Sequence, residues 1–325
     1  MSEHAPGTST TPGSSGPSGN ILRLAELSFT RLDALDRRRT VVIFAVSPLE
    51  EHGPHLPVGT DLYDAEFFSE ELAKRILEAK PDWTVLLGPS LPVGASAFDH
   101  AGTLLVRART VRNATLDYGA ALARHRFQYI LVTNGHAGPR HVVALEEAAA
   151  AVSRRYGVRM LSVSGPVIWK FLRGKFMDQL EPLLGRPLTE AEREAMRGDV
   201  HGGLWETSLI LRTRPQLVDP AYASLPPVRF TLLDALRKNY PLRLGNKLGY
   251  IGSPAAAAVE FGEAARRLLL DIAWDVVRPV FDAADESWQQ TSLLYKIPLM
   301  RTAFPYVAAG VGLSLAALGL AWWLR

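Results

Sequence analysis

A mostly parallel, doubly wound α/β sheet with flanking helices, followed by one C-terminal transmembrane helix, is the fold class predicted by three features of the 325-residue chain. Short β-branched apolar runs alternate with longer segments of helical period, the pattern of strands joined by crossover helices. The strand runs are apolar throughout rather than alternating, as strands covered on both faces are. Near the end, residues 303–324 carry no charge at all.

In order along the chain, residues 1–20 are rich in Gly, Ser, Thr and Pro and nearly empty of large apolar groups. They cannot bury enough surface to offset their ordering entropy, which predicts a disordered tail. They also lack the apolar h-region of a signal peptide. A globular domain is expected over 21–286. Its strands are predicted at Thr40–Val46, Trp83–Leu87, Phe127–Thr133 and Val158–Val163, and its helices at Asp61–Ala79, Val111–His125 and Pro139–Tyr156. Residues 165–198 are less regular and read as an excursion. A short helix follows at Gly202–Arg212, then a loop-rich, Pro-containing connection over 217–252 and a long amphipathic helix at Ala255–Phe281.

Residues 287–302 read as a linker and 303–324 as the membrane helix. A hydrocarbon core of about 30 Å takes roughly 20 apolar residues, and Trp322 and Trp323 stand where an interfacial aromatic belt would lie. Lys296 and Arg301 precede the span and only Arg325 follows it, which places the catalytic domain on the cytoplasmic side of a single-pass C-terminal anchor.

Lys+Arg number 36 against 33 Asp+Glu, a net charge of +3, with no clustered basic run beyond Arg37–Arg39. This argues against nucleic acid as a partner. The chain has no cysteine, which excludes disulfide frameworks, thiolate metal sites and cysteine nucleophiles. Any metal must be held by His, Asp and Glu.

Three clusters offer such groups. Directly after the first strand comes Ser47-Pro-Leu-Glu50-Glu51-His52-Gly-Pro-His55-Leu-Pro-Val-Gly-Thr-Asp61. Glu50 and His52, two apart in extended chain, face the same way. Asp61 opens the next helix, where a carboxylate is favoured by the helix N-terminus and can bridge two cations with one oxygen each. After another strand comes Asn134-Gly135-His136. Both clusters thus sit at the carboxyl ends of strands, where open α/β sheets place their sites. The third is Asp199-Val-His201-Gly202-Gly203-Leu-Trp-Glu206-Thr-Ser208. The Glu206 side chain leans over the preceding turn, where Gly202 and Gly203 would leave space for a metal or substrate. His201, just before that helix, can do acid–base work. A cysteine-free His/Asp/Glu set suits Zn, Mn or Fe in a hydrolytic site.

With these residues the sequence resembles the creatininase family of amidohydrolases. The family's Glu-Gln-His-Gly-Pro-His-Leu-Pro segment is matched by Glu50–Pro57 with Asp61, and its Asn-Gly-His by Asn134–His136. Its His-x-Gly-x-x-Glu-Thr-Ser is matched by His201–Ser208, and its Gly-x-x-Gly-x-Pro by Gly249–Pro254. The resemblance implies two divalent metal ions, Zn or Mn with Fe as an alternative. It places Glu50, Asp61 and His136 on one, and His52, Asp61 and a further Glu on the other. Creatinine hydrolase takes that Glu from two residues after the Asn-Gly-His histidine, a position that is Gly138 in this chain, so Glu206 is expected instead. The resemblance also implies His201 as the proton shuttle, with Glu206 beside it in catalysis. Asn134, Trp169, Gly202 and Gly203 are expected at the substrate, and homo-oligomers are expected in solution.

Two departures stand out. Glu51 replaces the usual Gln, and His100 stands in a His100-Ala-Gly-Thr103 segment where the family has Phe-Pro-Gly-Thr. His100 is either an extra site residue or a filler of the Phe position. The expected activity is hydrolysis of a C–N bond in a small-molecule amide: a cyclic amide, a formamide or a peptide-like substrate, including that of a precursor-peptide peptidase. A membrane-tethered binding protein on a decayed hydrolase fold is the alternative.

Overall fold

Five parallel strands form one sheet in the computed structural model, which describes residues 20–172, 176–229, 234 and 247–304. The strands are β1 (Asn20–Arg23), β2 (Thr40–Ala45), β3 (Thr84–Leu87), β4 (Tyr129–Thr133) and β5 (Arg159–Ser162), in the order β1-β3-β2-β4-β5. The expected strands and helices reappear within a few residues of their predicted ends. β1 was not anticipated. It is a four-residue edge strand whose pattern is mostly exposed, so it lacks the apolar run that marks the others.

Side chains alternate across the central strands and build two cores. Val42, Phe44, Ile130 and Val132 point to one face, covered by α3 (Ala108–Arg124) and α4 (Pro139–Tyr156). Val41, Ile43, Val85 and Leu131 point to the other, covered by α2 (Thr60–Ala79) and α9 (Val259–Asp282). All of these strand residues are fully buried or nearly so, which is why the sequence reads as continuous apolar runs. The 165–198 excursion contains three short helices, α5 (Ser164–Leu172), α6 (Met177–Leu184) and α7 (Glu190–Met196), and α8 (Leu204–Thr213) follows.

The chain leaves β2 toward β3 on one side, and β4 toward β5 on the other. The loops after β2 and β4 therefore diverge, and a crevice opens at the carboxyl ends of these neighbouring strands.

The 287–302 stretch, expected as a linker, is fastened to α4. The Ser292 N–H and hydroxyl both donate to Glu146, at 2.5 and 2.8 Å. The Thr302 N–H and hydroxyl donate to Glu147, which also pairs with Arg301 at 2.9 Å. Trp288, Ser292 and Thr302 are buried. The expected tail lies outside the described residues up to position 19, and the expected span lies outside them from 305 on. Among the described residues no helix is long and apolar enough to cross a membrane.

Candidate metal centre

The crevice holds Glu50, His52, Asp61, His136 and Glu206 in two groups of ligating reach that share Asp61, Glu50–Asp61–His136 and His52–Asp61–Glu206, and a third set joins Glu50 and His52 to His201. Glu50 and His52 ride the loop leaving β2. Asp61 sits in the first turn of α2, His136 follows β4, and Glu206 lies in the first turn of α8. Gly135 lets the β4 loop come this close, because a Cβ there would lie 2.3 Å from the Asp61 carbonyl oxygen.

Asp61 stands at the centre with one oxygen toward each group. Its Oδ1 lies 3.2 Å from His52 Nε2, which is 3.6 Å from Glu206. Its Oδ2 lies 3.3 Å from His136 Nδ1, which is 2.9 Å from Glu50. The far ring nitrogens fix the tautomers. His52 Nδ1 donates to the Glu50 carbonyl at 2.9 Å, and His136 Nε2 donates to the Ala95 carbonyl at 3.2 Å. The nitrogens facing the carboxylates are thus the ones with lone pairs to give, the usual arrangement for metal-ligating imidazoles.

Three atoms in this cluster, Glu50 Oε2, His52 Nε2 and Asp61 Oδ2, are buried without an aligned hydrogen-bond partner. Unpartnered buried polar atoms are costly, and here all three face into one space. Burial opposes charge on His52, Asp61, His136 and Glu206. Even so, the carboxylates Asp61 and Glu206 hold His52 well above its ordinary value, and Glu50 and Asp61 raise His136 to about 10. Asp61 is in turn held well below the usual carboxylate range by the two histidines. A space that draws protons this strongly onto imidazoles is one that favours cations. The donor set and the orphaned atoms together fit two divalent ions.

The surrounding shell explains how these side chains keep their places. The Asn134 carboxamide accepts from the His136 N–H at 2.9 Å and from the Ser47 hydroxyl at 3.1 Å, and its amide donates to the His136 carbonyl at 2.5 Å. Its side chain holds the loop, and Asn134 also lines the cavity beside Glu206. Gly202, at φ +60°, and Gly203 leave no open space. A Cβ on the first would lie 2.7 Å from the His52 carbonyl oxygen, and on the second 1.7 Å from Asp199 Oδ1. They serve close packing, and the Gly202 N–H donates to Glu206 at 2.5 Å. Asp199 accepts from the N–H groups of Leu204 and Trp205, fixing the start of α8.

His201 stacks on His52 with ring centroids 4.2 Å apart, and its Nε2 donates to the Glu51 carbonyl at 2.6 Å. The Gly249–Pro254 motif positions it: Ile251 exchanges backbone hydrogen bonds with His201 at 3.0 and 2.7 Å. His100 is exposed and belongs to none of the ligand groups. Trp169 lies outside the described side chains.

Two participants, His141 and Asp64, were not singled out from sequence, and a third, Glu51, was noted only as a departure from the family's Gln. His141, on the first turns of α4, accepts from the Ala95 N–H and donates to the Val46 carbonyl; burial lowers it to about 3, so it stays neutral. Asp64, one turn after Asp61, is pushed well up by burial and by Glu206 and Asp61. The carboxyl of Glu51 lies 3.9 Å from His201 and is raised by burial. Of His141 and Asp64, only Asp64 left a signal, its helical spacing of three from Asp61.

The sequence pattern of the creatininase family, described as creatinine amidohydrolase, matches residues 25–277. The chain belongs to the creatininase family. The members of that family are metal-dependent amidohydrolases acting on C–N bonds. The chain is 28% identical over 263 residues to a mycofactocin precursor peptide peptidase of Mycobacterium ulcerans, covering 78% of this chain and 90% of that protein. It is 26% identical over 268 residues to a creatinine amidohydrolase of Pseudomonas putida, covering 77% and 91%. A crystal structure of creatininase superposes with a TM-score of 0.58 at 22% identity, covering 81% of this chain and 98% of that one. Solved creatininases include a Mn form and a Zn–Zn form.

Within this family frame Gly138 takes on meaning. A Cβ at that position would lie 2.2 Å from His136 Nε2 and 2.9 Å from the Ala95 carbonyl oxygen. The place holds no side chain as the loop stands. Glu206 arrives from the opposite wall to complete the group with His52 and Asp61.

Proposed function

We propose that this chain is a dinuclear metal-dependent amidohydrolase whose substrate is a peptide-like amide, and that residues 303–324 anchor it to a membrane. The observation that carries the dinuclear reading is Asp61, which offers one oxygen to each of two ligand groups. Glu50, Asp61 and His136 would hold one ion, and His52, Asp61 and Glu206 the other. Such a pair, when bound, would activate water as the nucleophile and polarise the amide carbonyl.

The chain's own residues would supply the rest. As the C–N bond breaks, the carbonyl carbon gains a hydroxyl and the departing nitrogen needs a proton. His201, whose ring lies against that of His52, would supply it, and Glu51, a buried carboxyl 3.9 Å from His201, would restore it. Phe98 covers His201 edge-on at 4.7 Å and keeps water from it.

Two observations favour a peptide-like substrate. The mycobacterial relative acts on a precursor peptide. Beside Glu206 lies a cavity of about 160 Å³ whose wall is mostly apolar, with Phe67, Phe68, Val167, Ile168 and Leu209 beside Asp64, Asn134 and Arg266, and it suits an apolar side chain next to the scissile amide. Short peptides, formamides, cyclic amides and creatinine, each assayed with Mn²⁺ or Zn²⁺, test this reading. Cleavage of apolar peptides in preference to creatinine is expected. Creatinine as the better substrate would overturn it, and no turnover on any amide would favour a binding protein. The membrane anchor rests on the charge-free 303–324 sequence.

A further inference from the structure

The face from which residues 302–304 leave the domain is strongly basic. Two grooves of about 500 and 510 Å³ meet there, sharing Arg109 and Thr302 in their walls. Arg109, Arg112, Arg154 and Arg301 line the first, and Arg107, Arg109 and Arg140 the second. The single carboxylate between them, Glu147, is buried and already bound by Thr302, Arg301 at 2.9 Å and Arg112 at 3.5 Å. Among the described residues no other carboxylate lines either groove.

Exposed apolar residues lie in these groove walls or within two residues of them in sequence. Leu105 lines the second groove and is 44% exposed; its neighbour Leu104 is 55% exposed, and Leu299, on the fastened 287–302 stretch, is 59% exposed. Cationic groups interleaved with exposed leucines match the headgroup and upper acyl layers of an anionic bilayer. The chain continues from this face into the charge-free segment 303–324. Because Ser292 and Thr302 are bonded to Glu146 and Glu147, that exit point is fixed on the domain rather than carried on a free tether.

We propose that this arginine-lined face docks the catalytic domain onto an anionic lipid surface. The proposal builds on the membrane-anchor reading above and adds an orientation to it. The catalytic crevice then lies close to the lipid: Ala95, in the wall of the second groove, accepts from His136, and Leu104 donates from its N–H to the Leu49 carbonyl beside Glu50. A substrate borne on the membrane surface would reach the metal centre without the domain turning over.

The absence of cysteine makes a direct test clean. Full-length Leu105→Cys, labelled with an environment-sensitive fluorophore, is reconstituted in vesicles of phosphatidylcholine alone or with 30% phosphatidylglycerol. A blue-shifted emission is expected only with the anionic lipid, and it should reverse in high salt. Each arginine near such a surface contributes roughly a fivefold factor, so Arg107→Gln/Arg109→Gln/Arg154→Gln should lower the docked-to-undocked ratio about a hundredfold. Carbonate extraction, run in parallel, reports the anchor separately. Retention after carbonate with identical emission in both lipids would overturn the docking and leave the anchor standing. Loss in carbonate with a salt-sensitive shift would overturn the anchor and retain the docking. An equal shift with soluble polyphosphate would assign the arginines to a soluble polyanion and overturn the lipid assignment.

Discussion

At the scale of single residues, the centre depends on side chains that touch no metal as much as on those that would. Asn134 holds both ends of the His136 peptide and ties it to Ser47. Asn134→Ala should keep the fold yet weaken metal affinity or turnover by about 10–100-fold, the usual effect of losing a group that orients a ligand; metal titration of the purified variant checks this. Gly138→Glu tests the choice of ligand. Restoring a carboxylate at this position should not restore a creatininase-like site, because its Cβ would fall 2.2 Å from His136 Nε2. Bound metal and activity are both expected to drop, whereas a fully loaded, active Gly138→Glu enzyme would show that the loop adapts. The clustering of Glu50, His52, Asp61, His136 and Glu206 was legible in the sequence because each sits in a short motif at a strand or helix end, where spacing fixes direction. The close packing at Gly202 and Gly203 was not, because it depends on what packs opposite: the His52 carbonyl and the Asp199 carboxylate.

At the scale of elements, β2, β4 and their crossover helices follow directly from apolar runs and helical period, and the divergence of their loops places the crevice. What periodicity cannot convey is the partner of an irregular segment. Residues 287–302 have a linker's composition, yet Ser292 and Thr302 find two buried carboxylates on α4. This contact has a pH signature. Burial raises Glu146 to about 7 against the bonds from Ser292, so the folded chain holds its proton where the unfolded chain has released it. Stability should be highest below about pH 4.5 with respect to this group and fall as pH rises through about 7, by roughly 1–3 kcal/mol. Glu146→Gln, whose carboxamide can keep both Ser292 bonds, should remove that slope. Denaturant unfolding at pH 5 and pH 8 measures it; an unchanged slope in the variant would place the effect elsewhere.

At the scale of the whole molecule, one α/β domain presents a metal-ligand crevice at the carboxyl ends of its strands and a basic face at its exit toward residue 305. The structure dictates where the chain should be cut to test the anchor. Ending it at Arg301 would remove the Thr302 bonds to Glu147. Ending it at Phe304 keeps them, and this shorter chain is expected in the soluble fraction while the full chain sediments with membranes. Sizing the same soluble chain reports whether the domain assembles as other family members are expected to. The claim on which everything else depends is that Asp61 joins two metal sites. Elemental analysis of the purified chain and its variants tests it most directly. Two divalent ions per chain are expected, falling to one in Glu206→Gln and in His136→Ala and to none in Asp61→Ala, with all three variants folded. A chain that holds no stoichiometric metal, or an Asp61→Ala variant that still holds two, would contradict a bridged pair.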